Sequence, residues 1–326
     1  MIHPVLCLRP EADFTRVDAP APASLTVDYR KPDDPALPSL IKTARALVIP
    51  AVGPKLAPAL FEGCDLRLVQ VTGAGLDRLD QAALTRLGIP VANVPGGSNS
   101  AVAEYAVTSA SLLLRRLSWS SAEIAKGNYV GFRARMVADN LNGLEGLLVG
   151  VVGFGTIGLA VARAFHAAGA RICFHEPALR DKAAADALGA TAMSLDELLA
   201  ASDVVTLHVP LLPATQGLIG ARELACMKPG AILIQAARGG IVDEAALAQS
   251  LASGHLGGAA VDVYSVEPPT PDNPLLKVTG EAASRLLLTP HIAGVTRQAS
   301  ALLFRSAWQN VERVLVRGEA PANRAY

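Results

Sequence analysis

The sequence predicts an α/β protein built from two doubly wound parallel-sheet domains. Short apolar runs alternate with helical patterns along nearly the whole chain, the mark of strands joined by helices. The length of 326 residues exceeds what one core usually serves. Hydrophobic residues make up 51% and charged residues 18%, which supplies apolar material for two cores and argues against extended disorder.

The first series of strand-like runs is Val5–Leu8, Leu25–Val27, Ala46–Ile49, Leu66–Val71 and Ile89–Ala92. Helical patterns fall at Pro54–Phe61 and Leu76–Leu87, and the proline cluster between Pro20 and Pro38 predicts an irregular connection. A long helix is expected from Ser100 to about Lys126. The second series runs through Leu147–Val152, Arg171–Phe174, Val204–His208, Ala231–Gln235, Gly258–Val263 and Leu286–Leu288. Ser194 and Glu197 have the spacing of a capping box at the head of one connecting helix. A last helix spans Thr296–Arg317, with Leu303, Ala307, Val311 and Val314 on one face.

Bulk properties exclude several classes. The formal net charge is zero, so there is no basic field for nucleic acid or an anionic membrane. Cys7, Cys64, Cys173 and Cys226 are scattered without a C-x-x-C pair, which points to reduced thiols and to neither a disulfide framework nor a metal site. No apolar stretch precedes Arg9, Glu11 and Asp13, and no run of roughly 18 apolar residues occurs. A cytoplasmic protein without a membrane span is expected.

Gly153, Gly155 and Gly158 form G-x-G-x-x-G between the apolar run Leu147–Val152 and a helical pattern at Ile157–Ala168. In a strand–turn–helix, such glycines let the backbone approach a pyrophosphate at a helix N-terminus. Glu176 stands roughly 20 residues beyond the motif, where a carboxylate accepts from ribose hydroxyls and repels a 2′-phosphate. NAD is therefore expected over NADP, although Arg180 stands near.

Ligands of doubly wound sheets bind beyond the carboxyl ends of the strands. Arg238, Asp262, Glu267 and His291 all follow or end a strand-like run. Arginine offers a planar fork of donors to a carboxylate and polarises the adjacent carbonyl. Histidine delivers a proton near neutral pH, and a neighbouring carboxylate favours the imidazolium. This set suits reduction of a carbonyl beside a carboxylate. His208 ends a strand but is assigned no chemistry.

Asp203–Pro210, Met227–Gly239, Ile241–Leu247, Val261–Val263, Glu267–Pro268 and Thr289–Gly294 resemble the D-isomer-specific 2-hydroxyacid dehydrogenase family, as do Gly73–Gly75, Asn93–Pro95 and Ala101–Glu104. The resemblance implies a Rossmann NAD-binding domain (100–289) inserted in a flavodoxin-like substrate domain (1–99, completed by 290–326). It implies Arg238, Glu267 and His291 as the catalytic set. Cofactor contacts are implied at Gly153, Gly155, Thr156, Ile157, Gly158, Glu176, Val209, Pro210, Ala236, Ala237, Arg238, Asp262, His291 and Gly294. The substrate is implied to lie on Gly73, Ala74, Gly75, Arg238 and His291, and the protein to be a homodimer. Three positions depart from the family pattern: Tyr105 replaces a histidine, Gln235 an asparagine, and Tyr129 a tryptophan.

The same residues leave open a cofactor-sensing corepressor-like protein, or a relative acting on phosphite or formate. Among 2-keto acids, glyoxylate and hydroxypyruvate are expected before a phosphorylated compound. The resemblance implies that phosphoglycerate-oxidising relatives bind the phosphate through an arginine in the loop after the third strand of the first lobe. Here that loop, Val48–Gly53, has no cation before Lys55, and a dianionic phosphate desolvated without a charged partner is costly. Arg78, or Arg133 and Arg135 from a neighbouring subunit, are the cations that could compensate.

Overall fold

The computed structural model describes residues 3–178 and 181–326. The chain divides into two compact units, Met1–Ser98 with Val295–Tyr326, and Asn99–Gly294.

In the first unit, strands β1 (Pro4–Cys7), β2 (Thr26–Tyr29), β3 (Ala46–Ile49), β4 (Leu68–Val71) and β5 (Val91–Ala92) form a parallel sheet in the order 2-1-3-4-5, the flavodoxin-like arrangement. Both faces are apolar because alternate residues point to opposite sides. Val5, Cys7, Ala46 and Val48 pack with Phe14, Phe304, Trp308 and Val311. Leu6, Leu8, Leu47 and Ile49 pack with Ile41, Phe61 and Leu84. The helix Arg297–Leu315 thus belongs to this first core, opened by Thr296, whose hydroxyl accepts from Ala299 N–H.

The second unit holds seven parallel strands: β6 (Leu148–Val152), β7 (Arg171–His175), β8 (Thr191–Ala192), β9 (Val204–Leu207), β10 (Ile232–Gln235), β11 (Gly258–Val261) and β12 (Leu286–Leu288). Their order is 12-11-10-9-6-7-8, which is the Rossmann order with one further strand. Val149, Val151, Ile172 and Ile234 face one apolar layer, shared with the helices Asn99–Leu114 and Thr156–Ala167. Val152, Cys173, Leu207 and Leu233 face the other. No helix of the described residues is long and apolar enough to cross a membrane.

Several expected elements are shorter or broken. The long helix after Ser100 is two helices, Asn99–Leu114 and Leu117–Ala125, because Arg116 takes a left-handed backbone (φ 51°) between them. Its guanidinium pairs with Asp139. Pro54–Phe61 contains only the 3₁₀ turn Pro58–Phe61, since Pro54 and Pro58 lack the N–H that a longer helix needs. Leu76–Leu87 becomes helical only at Gln81, where Asp80 caps Ala83 N–H at 2.8 Å. The capping box at Ser194 and Glu197 is present. Residues 290–294 stay with the second unit, where the return had been expected at 290, because Ile292 and Ala293 donate to Asp262.

Candidate active site

The glycine motif turns the chain from β6 into the helix Thr156–Ala167, with Gly155 at the N-cap. A Cβ at Gly158 would lie 1.9 Å from the Gly153 carbonyl oxygen. One at Gly153 (φ +90°) would lie 2.6 Å from the His208 carbonyl oxygen. These two glycines serve the turn itself. Nothing lies within 4 Å of a Cβ at Gly155, so the space over that residue is free for a ligand at a helix N-terminus. A pyrophosphate fits the cradle. Thr156 and Ile157 follow as the first helical residues.

Glu176 follows β7, and its carboxylate accepts from Phe154 N–H (3.0 Å) and Ala178 N–H (3.0 Å). The carboxylate is thereby tied to the glycine turn. Arg180 lies outside the described residues. Val209 and Pro210 follow β9; the Val209 Cγ1 is 2.8 Å from the place of a Gly153 Cβ, and the Pro210 carbonyl accepts from the Thr215 hydroxyl at 2.6 Å.

At the end of β10 come Ala236, Ala237 and Arg238. Gln235, which sequence reasoning noted only as a departure, braces this turn. Its Nε2 donates to the Arg238 carbonyl (2.8 Å) and its Oε1 accepts from Ala237 N–H (3.3 Å). Gly239 lets the turn press on the next one, because a Cβ there would lie 1.8 Å from the Tyr264 carbonyl oxygen.

Beyond β11, Asp262 is 1% exposed. Its Oδ1 accepts from the Thr289 hydroxyl (2.6 Å) and Ile292 N–H (2.8 Å), and its Oδ2 from Ala293 N–H (2.8 Å). His291 N–H donates to the Asp262 carbonyl at 2.8 Å. These bonds hold His291 in a left-handed backbone (φ 55°), a conformation costing about 1–2 kcal/mol in a residue with a Cβ. The His291 Nδ1 then sits 2.9 Å from Glu267 Oε2, with both side chains about a quarter exposed. Glu267 Oε1 accepts from Tyr264 N–H at 3.1 Å. With Nδ1 engaged, Nε2 is the ring nitrogen left for proton transfer. Gly294 is the last residue of this unit.

Residues 107–293 match the family model described as D-isomer specific 2-hydroxyacid dehydrogenase, NAD binding domain. The chain belongs to the D-isomer-specific 2-hydroxyacid dehydrogenase family. Its second unit is the family's NAD-binding domain, and NAD is its cofactor. The chain is 40% identical over 251 residues to an (S)-sulfolactate dehydrogenase from Chromohalobacter salexigens, covering 77% of this chain and 78% of that one. It is 38% identical over 235 residues to a D-3-phosphoglycerate dehydrogenase from Archaeoglobus fulgidus, covering 72% of this chain but only 42% of that one. A solved glyoxylate reductase from Paecilomyes thermophila superposes with a TM-score of 0.81 at 26% identity, over 99% of this chain and 98% of that one.

Gly73, Ala74 and Gly75 lie in the first unit, just past β4. The Gly73 and Ala74 carbonyls accept from Val94 N–H (2.9 Å) and Asn93 Nδ2 (2.7 Å), so the turn's acceptors are engaged by protein. A Cβ at Gly73 would lie 2.8 Å from that of Ala51, which seats the turn against the loop after β3. That loop does have a cation beneath it. Arg78, 3% exposed, donates from Nε to the Pro54 carbonyl (2.8 Å) and from Nη1 to the Pro50 carbonyl (3.1 Å). Its Nη2 is buried without a partner, and burial pushes the group's pKa down. Arg135 is instead committed to Glu281 at 2.6 and 2.8 Å.

Proposed function

We propose that this chain is an NAD-dependent oxidoreductase interconverting a small D-2-hydroxy acid and its 2-keto acid. The observation that carries the reading is the His291–Glu267 pair at 2.9 Å, held at the carboxyl edge of the cofactor sheet. In reduction, the imidazolium gives its Nε2 proton to the developing alkoxide, and the Glu267 carboxylate stabilises the charged ring through Nδ1. Arg238 binds the substrate carboxylate and polarises the carbonyl. In the first unit, the turn Gly73–Gly75 has its carbonyls engaged by protein, and its backbone N–H groups suit an anionic group. Bound NADH supplies the hydride.

The experiment is an NADH-oxidation screen with glyoxylate, hydroxypyruvate, pyruvate, bulkier 2-keto acids and sulfopyruvate. Turnover with one of them supports the reading. Tight NADH binding with no turnover across the panel overturns it in favour of a cofactor-sensing protein. NADH is preferred over NADPH in this proposal, because Glu176 repels a 2′-phosphate. Equal kcat/KM for the two cofactors removes that part, and Glu176→Ala narrows the difference.

The same reading includes a homodimer in the cytoplasm. Leu117, Ile124, Tyr129, Val130 and Val137 are exposed on the helical segment 117–138, and an apolar surface of this kind favours a protein partner. Light scattering at the mass of one chain overturns the dimer.

A further inference from the structure

Tyr105 lies on the helix Asn99–Leu114, and its hydroxyl is 2.8 Å from Thr289 Oγ1. Thr289 Oγ1 is 2.6 Å from Asp262 Oδ1. A carboxylate only accepts, so the Thr289 O–H points to Asp262. The Thr289 oxygen must then accept, and Tyr105 is the donor. Burial raises the pKa of the Tyr105 hydroxyl above its ordinary range, which keeps the proton on the phenol at neutral pH. The backbone of Thr289 is held as well, its carbonyl accepting from the Tyr264 hydroxyl at 3.0 Å.

The far end of this chain is the turn that carries His291. Asp262 gathers Ile292 N–H and Ala293 N–H on its two oxygens, and its carbonyl takes His291 N–H. These bonds offset the left-handed backbone at His291. Any looseness in the Asp262 carboxylate therefore appears as looseness in the imidazole, where a displacement near 1 Å can cost about 10²-fold in rate.

We propose that Tyr105 is a positioning residue for His291, acting through Thr289 and Asp262. The tyrosine takes no part in proton transfer. It completes the polar shell of a buried carboxylate whose other bonds shape the catalytic turn. The proposal rests on the reading of His291 as the acid.

The test combines steady-state kinetics on an active 2-keto acid with amide exchange in the free protein. Tyr105→Phe and Thr289→Val should each lower kcat about 3- to 10-fold, the effect of one lost hydrogen bond, with the NADH Kd within twofold of wild type. The double variant should be no worse than the weaker single, because both act through one chain. Thr289→Ser, which keeps the hydroxyl, should retain activity. Tyr105→Phe should also speed exchange at Ile292 and Ala293 N–H. A kcat within twofold of wild type in Tyr105→Phe, or a double variant equal to the product of the singles, overturns the proposal. A lowered Tm with kcat unmoved reduces Tyr105 to packing and overturns it too. If wild type turns over no keto acid, the functional reading fails by itself, and unchanged exchange in Tyr105→Phe then rejects the network.

Discussion

The carboxyl edges of the two sheets solve different problems. In the second unit, the edge is a set of side chains that answer one another: Glu176 on the glycine turn, Gln235 under Arg238, Asp262 under the 289–293 turn, and Glu267 on His291. In the first unit, the edge is mostly backbone. The turn Gly73–Gly75 and the loop Pro50–Pro54 pack closely, and Arg78, beneath them, donates to the carbonyls of Pro50 and Pro54. Side-chain hydrogen bonds concentrate at the edge of the NAD-binding unit.

Changes at the second edge should have the largest effects. His291→Ala is expected to lower kcat about 10²- to 10⁴-fold, the range for loss of a general acid. Glu267→Gln keeps the shape but removes the charge, and should fall between that variant and wild type. Stopped-flow and steady-state assays check both, and a Glu267→Gln enzyme as fast as wild type would remove the pairing. Next come the glycines. Gly155→Val should leave Tm near wild type while weakening NADH at least about tenfold, because the side chain fills space intended for the cofactor. Gly158→Ala should instead lower Tm, since its Cβ meets the Gly153 carbonyl at 1.9 Å. Calorimetry and NADH fluorescence titration separate the two outcomes.

A smaller effect is expected at the first edge. Arg78 is buried among the carbonyls of Pro50 and Pro54, so it is not itself a mobile cation for a phosphate. Hydroxypyruvate should then exceed phosphohydroxypyruvate in kcat/KM by about tenfold or more, roughly 1.4 kcal/mol. A tenfold preference for the phosphorylated compound would show that Arg78, or another cation, reaches the substrate.

Fold class and strand sequence were legible because both faces of each sheet are covered, so strands appear as apolar runs. Thr191–Ala192 was not legible: it is a two-residue strand with both residues exposed. The helix Tyr129–Ala138 was hidden because only Phe132 is buried along it, leaving no apolar stripe. Arg238, Asp262, Glu267 and His291 were legible from their places at strand ends. Their supports were not, since Thr289, Gln235 and Tyr264 carry no chemical signature until the fold brings them near. Arg78 was named as a cation, but its burial beneath the loop after β3 depends on packing between distant segments.

The smallest effect concerns the other histidine of the cofactor edge. His208 and His291 both follow strands of one sheet and both are partly buried, yet their ring partners differ. His291 is a quarter exposed and faces a carboxylate. His208 has Thr206 Oγ1 at 2.8 Å from Nε2, a buried Nδ1 with no partner, and no carboxylate against it among the described residues. Burial pushes its pKa down to about 3, so the folded protein keeps the ring neutral while an unfolded chain protonates near pH 6.5. Between those values the unfolded state binds the extra proton. Stability from this residue is therefore complete above about pH 6.5 and declines as pH falls, by at most ~1.4 kcal/mol per pH unit. His208→Gln should flatten that part of the acid limb in urea titrations between pH 7.5 and about 5. An identical slope in both proteins would mean that His208 reaches solvent and protonates in the folded state. That would leave the two histidines less different than their ring partners imply.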